Sequence, residues 1–486
     1  MMKAANKERS NNKGSYYFHI VMVFVISLGI GALPPFGQIT GYGMQVLGIF
    51  IGTLYGWIFC ELFWPSVWAL LLLGFTEFGS ITQVFTAGLG NSNVIMLLIV
   101  FIFVGYLELS GLMKFIAEWF VSRKICEGRP YVFLIMMMLP AAIFGAFINV
   151  WAGLVIVWSL FFRACEFLEL KKDDAYVCMG IMGTTLAASV TPTLFTFRPV
   201  PIMANGWVKT AVGVGYNTDI WFALQGLACV LSLVIVLLVF KFMVKPDVSQ
   251  FRGKGNLYAD LREQKMNKQQ KFALVFLLVF VMMLVIPLLL PKTLQPVKVL
   301  SNFSIVGTAA LCIMAATLIK IDGRPLFKLQ DCVQKGVNWP LIFMLAASFP
   351  IGDALEQEST GIIATFTQYV TPMVAGLSPM VFMIMVIIIF NLISQVMHNL
   401  VLMMVFTPVL CQLALSVGVP VDVFAPIFVF TVNTALITPG SSATGAMIHG
   451  NTTWMSTRKT YLWAILVTGV IYLTLIFLVP FGLLIC

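Results

Sequence analysis

Hydrophobic residues fall along this chain in long blocks separated by short polar stretches. Blocks near 16–33, 44–60, 61–75, 92–110, 176–206, 218–244, 271–290, 304–320, 337–355, 424–450 and 461–484 are read as membrane spans, since a helix needs about 20 apolar residues to cross a bilayer. Two further blocks are read differently. Residues 131–162 carry no charge, a run too long for one span and too short for two spans and a turn. The run from Ser359 to Val421 is also uncharged, and inside it two apolar flanks enclose Asn391, Ser394, Gln395, His398 and Asn399. Each such polar group costs on the order of several kcal/mol if left unpaired in hydrocarbon. Half-length helices meeting at a polar tip describe a re-entrant hairpin, expected at 131–162 with its tip near Asn149 and at 378–417 with its tip near Asn399. The fold class predicted is an all-α polytopic membrane protein of about eleven transmembrane helices and two re-entrant hairpins.

Composition sharpens this picture. Sixty per cent of the 486 residues are hydrophobic, 10% are charged, and mean hydropathy is +0.97, against about 25% charge in a soluble domain. The net charge of +9 is not a nucleic-acid footprint, because Lys and Arg sit in short loops between apolar blocks, where they set orientation. With residues 1–15 as a cytoplasmic tail, 25 of the 29 Lys and Arg fall in cytoplasmic loops. Lys209, Lys292 and Lys298 fall outside, and Arg198 falls within a span. The expected location is the plasma membrane, with the C-terminus extracytoplasmic. The basic stretch 112–130 reads as a surface helix, and 245–270 as a cytoplasmic linker. The first apolar block runs into Pro34-Pro35 with no small-residue cleavage site, so it is read as a retained span. The nine cysteines form no CxxC pair, which argues against a zinc site or a disulfide framework.

The linker divides the chain into residues 16–244, a first span followed by an N-terminal repeat, and residues 271–486, a C-terminal repeat. Asn93-Val94-Ile95 is echoed by Asn338 with Leu341-Ile342, Gly105 with Glu108 by Gly352 with Glu356, Asn149 by Asn399, and Thr191-Pro192 by Thr438-Pro439. Five spans per unit is an odd number, which inverts the second copy. The two tips then enter from opposite sides and meet near the midplane, as in secondary transporters that work by alternating access.

A hairpin followed by a Pro-broken span, occurring twice, resembles the divalent anion/sodium symporter family of di- and tricarboxylate carriers, within the wider ion transporter superfamily. That family's Ser-Asn-Thr tip aligns with His398-Asn399-Leu400, followed by Pro408, and in the first hairpin with Ile148-Asn149-Val150, where Trp158 replaces the Pro. Ser394-Gln395-Val396 stands where the family has Thr-Glu-Phe, and Thr438-Pro439-Gly440-Ser441-Ser442 resembles its Thr-Pro-Pro-Asn break. The resemblance implies a carrier of small organic anions, sodium (Na+) coupling and a homodimer. It implies substrate contacts from Asn149, Asn399, His398 and Thr438. Hard cations take several oxygen ligands. Ile148 and Val150 supply none from their side chains, so sodium is expected at Ser394, Asn399, Thr438, Ser441 and Ser442.

Arg198 is a cation at a helix break within a span, a placement that costs about 2.5–3.5 kcal/mol on insertion scales. It is read as the partner of a substrate carboxylate; snorkelling to the interface is the alternative. His398 suits a proton relay or simply satisfies neighbouring backbone. Asn149 and Asn399 bind substrate or cap broken helices. Glu108 and Glu356 are read as anchors of helix ends. An enzyme is disfavoured, since His-Glu-x-x-His, Gly-x-Ser-x-Gly and a paired intramembrane Asp are all absent. Broken helices in a repeat favour a carrier over a channel. Proton-coupled or exchange transport of another anion, and sodium/proton or arsenite antiport as in superfamily relatives, stay as alternatives.

Overall fold

The computed structural model describes residues 2–251, 258–290, 294–321, 323–374, 376–395, 399–439 and 441–485. The chain is built from helices. After α1 (Met2–Gly31), ten helices run in order: α2 (Gly41–Phe59), α3 (Phe63–Leu73), α4 (Ile81–Leu89), α5 (Ser92–Leu109), α6 (Leu112–Val121), α7 (Pro130–Phe147), α8 (Val150–Phe167), α9 (Ala175–Val190), α10 (Pro199–Val212) and α11 (Thr218–Val239). Ten more follow the linker: α12 (Lys268–Leu289), α13 (Gln295–Leu318), α14 (Leu329–Gly336), α15 (Trp339–Glu356), α16 (Ile362–Val374), α17 (Pro379–Ser394), α18 (Asn399–Ser416), α19 (Val421–Asn433), α20 (Ala443–Gly450) and α21 (Thr457–Ile485). Helix starts at 81, 92, 130, 150 and 175 recur at 329, 339, 379, 399 and 421. The caps recur as well. The Asn91 side chain accepts from Asn93 N at the head of α5, and the Asn338 side chain accepts from Leu341 N at the head of α15.

Among the described residues, nine helical runs are long and apolar enough to cross a bilayer. Their outward faces are apolar at helical spacing, as lipid requires: Val230, Val234 and Leu238 on α11, and Leu473, Phe477 and Leu484 on α21, are all exposed. The broken spans take the opposite environment. Every residue from Tyr176 to Val190 in α9 and from Val423 to Val432 in α19 is buried. Small residues make this packing feasible: Gly180 leaves room for the ring of Phe161, and Gly145 for the carbonyl of Ala188, places that a Cβ would occupy.

The structure departs from the sequence expectation in three places. Block 61–75 forms an 11-residue helix, α3, and the amphipathic α4 follows where a loop was expected. The segment expected at 304–320 begins earlier, at Gln295, and kinks at Ser304, a non-glycine residue at φ 54°. The arms of the first hairpin are 18 residues each, about 27 Å at 1.5 Å per residue. They exceed half a span: α7 fills the uncharged run from Pro130 up to the tip, and α8 runs past Arg163 to Phe167.

Two glycine seams join the halves. A Cβ at Gly88 of α4 would overlap the carbonyl of Ala346 in α15, and one at Gly336 of α14 would overlap the carbonyl of Phe101 in α5. Each short helix thus lies directly on the backbone of the long helix that follows its counterpart.

Candidate functional site

The first tip is a two-residue break between α7 and α8. Ile148 leaves the helix (φ −125°, ψ −96°) and Asn149 is extended, its side-chain oxygen accepting from Trp151 N and Ala152 N. Two of the donors orphaned at the head of α8 are thereby satisfied. The neighbouring span breaks at Thr191–Thr193, where Pro192 cannot continue the hydrogen-bond ladder. Thr191 Oγ1 donates to Ala142 O at 2.9 Å and ties this break to the hairpin. The chain then reaches Arg198, extended at the head of α10, whose Nη1 donates to the freed carbonyl of Ile148 at 3.0 Å. Arg198 is only 7% exposed and its Nε has no partner among the described residues. The structure therefore places it inside the protein.

At the second tip, α17 ends on Ser394 and α18 starts on Asn399. His398 lies outside the described residues. Gln395 is held on all sides: Nε2 donates to Asn391 Oδ1 at 2.7 Å, Oε1 accepts from Ile437 N at 2.9 Å, and its backbone carbonyl accepts from Thr438 Oγ1. Ser394 Oγ donates to Asn391 O at 2.7 Å. Ser441 Oγ donates to Thr438 O at 2.7 Å, and Ser442 Oγ to Ala435 O at 2.9 Å. These hydroxyl and carbonyl oxygens, drawn from a hairpin tip and a broken span, make a neutral oxygen nest of the donor type that hard cations take.

A cavity of about 590 Å³ opens between the two tips. Ile148, Asn149, Ser189, Arg198, Asn399 and Ser442 are in its wall. Of the residues the sequence singled out, the cavity gathers Asn149, Arg198, Asn399 and Ser442. Ser394, Thr438 and Ser441 belong to the nest instead, and their hydroxyls bond within it.

Three residues escaped the sequence reading. Asn433, at the end of α19, accepts from Asn399 Nδ2 at 2.9 Å and donates to Ser189 O at 3.1 Å, joining the second tip to the broken span of the first half. The signal was available, as Asn433 is the first amide in an apolar run ahead of the break at 434–442. Ser189 brings to the same wall a buried Oγ with no partner among the described residues. Lys335 also lines the cavity; as a basic residue in a loop it had been absorbed into the orientation count. Glu108 is buried beside Asn149, with 5% of its side chain exposed, rather than anchoring a helix end at an interface. The acid faces inward because Gly105, one turn earlier, lets α14 close over it.

Residues 18–433 match the family described as citrate transporter. A curated relative, an uncharacterized transporter from Synechocystis sp., is 22% identical over 151 residues, which is 30% of this chain and 24% of that protein. The chain thus spans about a quarter of that relative's length. Among solved structures, the YdaH transporter of Alcanivorax borkumensis superposes with a TM-score of 0.59 at 11% identity, covering 83% of this chain and 87% of that one. At that identity the likeness is one of fold.

Proposed function

The chain belongs to the citrate transporter family, and from that premise we propose that it is a secondary active carrier of small organic anions of the di- and tricarboxylate type, moving them across the plasma membrane by alternating access in symport with sodium. The observation that carries this reading is Arg198: a residue only 7% exposed, whose Nε has no partner among the described residues, in a cavity wall shared by both hairpin tips. Burying a cation without a counter-charge is costly, and a planar bidentate donor matches a carboxylate. Asn149 and Asn399 are read as the amides that orient the bound acid. The oxygen nest of Ser394, Gln395, Thr438, Ser441 and Ser442 is read as the sodium site, and hairpin movement between two faces as the transport step.

The test is uptake of labelled citrate and succinate by liposomes containing the purified protein, under an inward sodium gradient and under a matched potassium gradient. Sodium-dependent, saturable uptake that Arg198→Gln abolishes is the expected result. Uptake of both acids that Arg198→Gln leaves intact would overturn the reading.

A further inference from the structure

We propose that Lys335 is a second cationic contact for the transported acid, exchanging its loose pairing with Glu108 for a substrate carboxylate, so that the site selects acids with two charged carboxylates. This rests on the carrier reading above. Lys335 and Arg198 are the two charged side chains in the cavity wall, which contains no Asp or Glu among the described residues. A wall with two cations complements a dianion better than a monoanion.

The local geometry supports a loosely paired lysine. Lys335 Nζ lies 4.0 Å from Glu108 Oε2, at the limit of an ion pair, with the lysine side chain 56% exposed and the glutamate 5% exposed. Glu108 Oε1 has no hydrogen-bond partner among the described residues, and the carboxylate sits beside the Asn149 side chain at the first tip. The ammonium is thus loosely held by an acid behind the wall while remaining open to the cavity. Lys side chains suit this, being flexible point charges, where an Arg would be fixed by its planar fork.

The other half of the molecule shows that the packing does not require the lysine. Gly336 seats α14 on α5 as Gly88 seats α4 on α15. The residue before Gly336 is Lys335, and the residue before Gly88 is Ala87. One seam therefore forms with an alanine in the lysine's position, so seating the helix does not itself require the lysine.

The experiment uses the full chain in liposomes, with labelled succinate as the dianion and its monomethyl ester as the monoanion, and thermal melting to confirm that each variant is folded. Wild type is expected to favour succinate. Lys335→Gln should raise KM for succinate by ~10-fold or more, the scale of one charge-assisted contact, with kcat and the KM for the ester within about twofold. Lys335→Arg should rescue most of the loss. The double variant E108Q/K335Q decides between contact and packing, because it removes the buried acid left unpaired by the single change. It should keep the succinate defect. A double variant with wild-type KM, or a Lys335→Gln protein with an unchanged preference for succinate over its ester, would overturn the proposal alone. Wild type that takes up neither acid would overturn the carrier reading and the proposal together.

Discussion

Asn399 donates a hydrogen bond to Asn433 across 2.9 Å, and Asn433 passes the connection to the Ser189 carbonyl at 3.1 Å. One bond joins a hairpin tip to the broken span beside it, and the next joins that span to its counterpart in the other half. A side-chain amide is well suited to this, offering donor and acceptor a fixed distance apart. Asn433→Ala is expected to cost about 1 kcal/mol per lost hydrogen bond in thermal stability. Uptake should fall by ~10-fold or more in kcat/KM, because the tips lose registration at the cavity. Reconstituted uptake together with a melting curve checks both.

Arg198 binds Ile148 O through one nitrogen, and its Nε has no partner among the described residues. Lysine in its place keeps the charge and loses the two-pronged geometry. Arg198→Lys should therefore raise KM for citrate by ~10-fold or more while retaining sodium-dependent uptake, a split read from saturation curves.

The oxygen nest predicts a separation between ion and substrate. Thr438 Oγ1 bonds the Gln395 carbonyl and lies outside the cavity wall. Thr438→Val should raise the sodium concentration for half-maximal uptake by ~10-fold, within the range one charge-assisted oxygen contact spans. At saturating sodium, KM for the acid should stay near wild type. A sodium titration of initial rates reads the difference.

Asn149 and Asn399 share one cavity, so cysteines placed there should react with a membrane-impermeant thiol reagent from the same aqueous compartment and be protected by bound acid. Native Cys126 is buried, and burial pushes its thiol up to about 11. It stays protonated, hence unreactive, throughout the neutral range and gains reactivity only as pH approaches that value. Labelling at pH 7 should therefore report the introduced cysteines over a low background from Cys126, as mass spectrometry of the labelled peptides would show.

The glycine seams predict a steric effect. Gly336→Ala sets a methyl against the Phe101 carbonyl, where only movement of α14 makes room. It should lower stability by about 1–3 kcal/mol, the usual scale of overpacking. Gly450→Ala, in α20 with open space at its Cβ, serves as the control and should melt like wild type.

Much of this was legible in the sequence because a polar residue in an apolar run stands out against the cost of burying it. Asn149, Arg198 and Asn399 were found that way, and the structure gathers all three at one cavity. Lys335 was invisible for the opposite reason: a lysine in a loop is what membrane orientation already demands, and only the seam at Gly336 brings it to the site. Asn433 was missed because an amide near a helix end reads as an ordinary cap, while its two partners lie on other elements. Thr438 and Ser441 were recognised as polar, but a sequence does not tell which way a hydroxyl turns, and here both bond into the nest. The hairpins were visible as uncharged stretches, whereas the length of α8 was underestimated because that helix continues past Arg163, the charge that bounds its stretch.

The reciprocal seams describe a joint made twice between two similar partners, Gly88 to Ala346 and Gly336 to Phe101, the hallmark of an isologous interface between identical subunits. A half-length ancestor carrying one such helix pair would have met a second copy of itself about a two-fold axis, through the same surface on each partner. Fusion into one polypeptide locks that pairing at one to one and removes the demand that both halves stay alike. The lysine beside one seam and the alanine beside the other are what such freedom permits: a symmetric dimer must mutate both sides of its pocket at once, and a fused one need alter only the side that meets the solute.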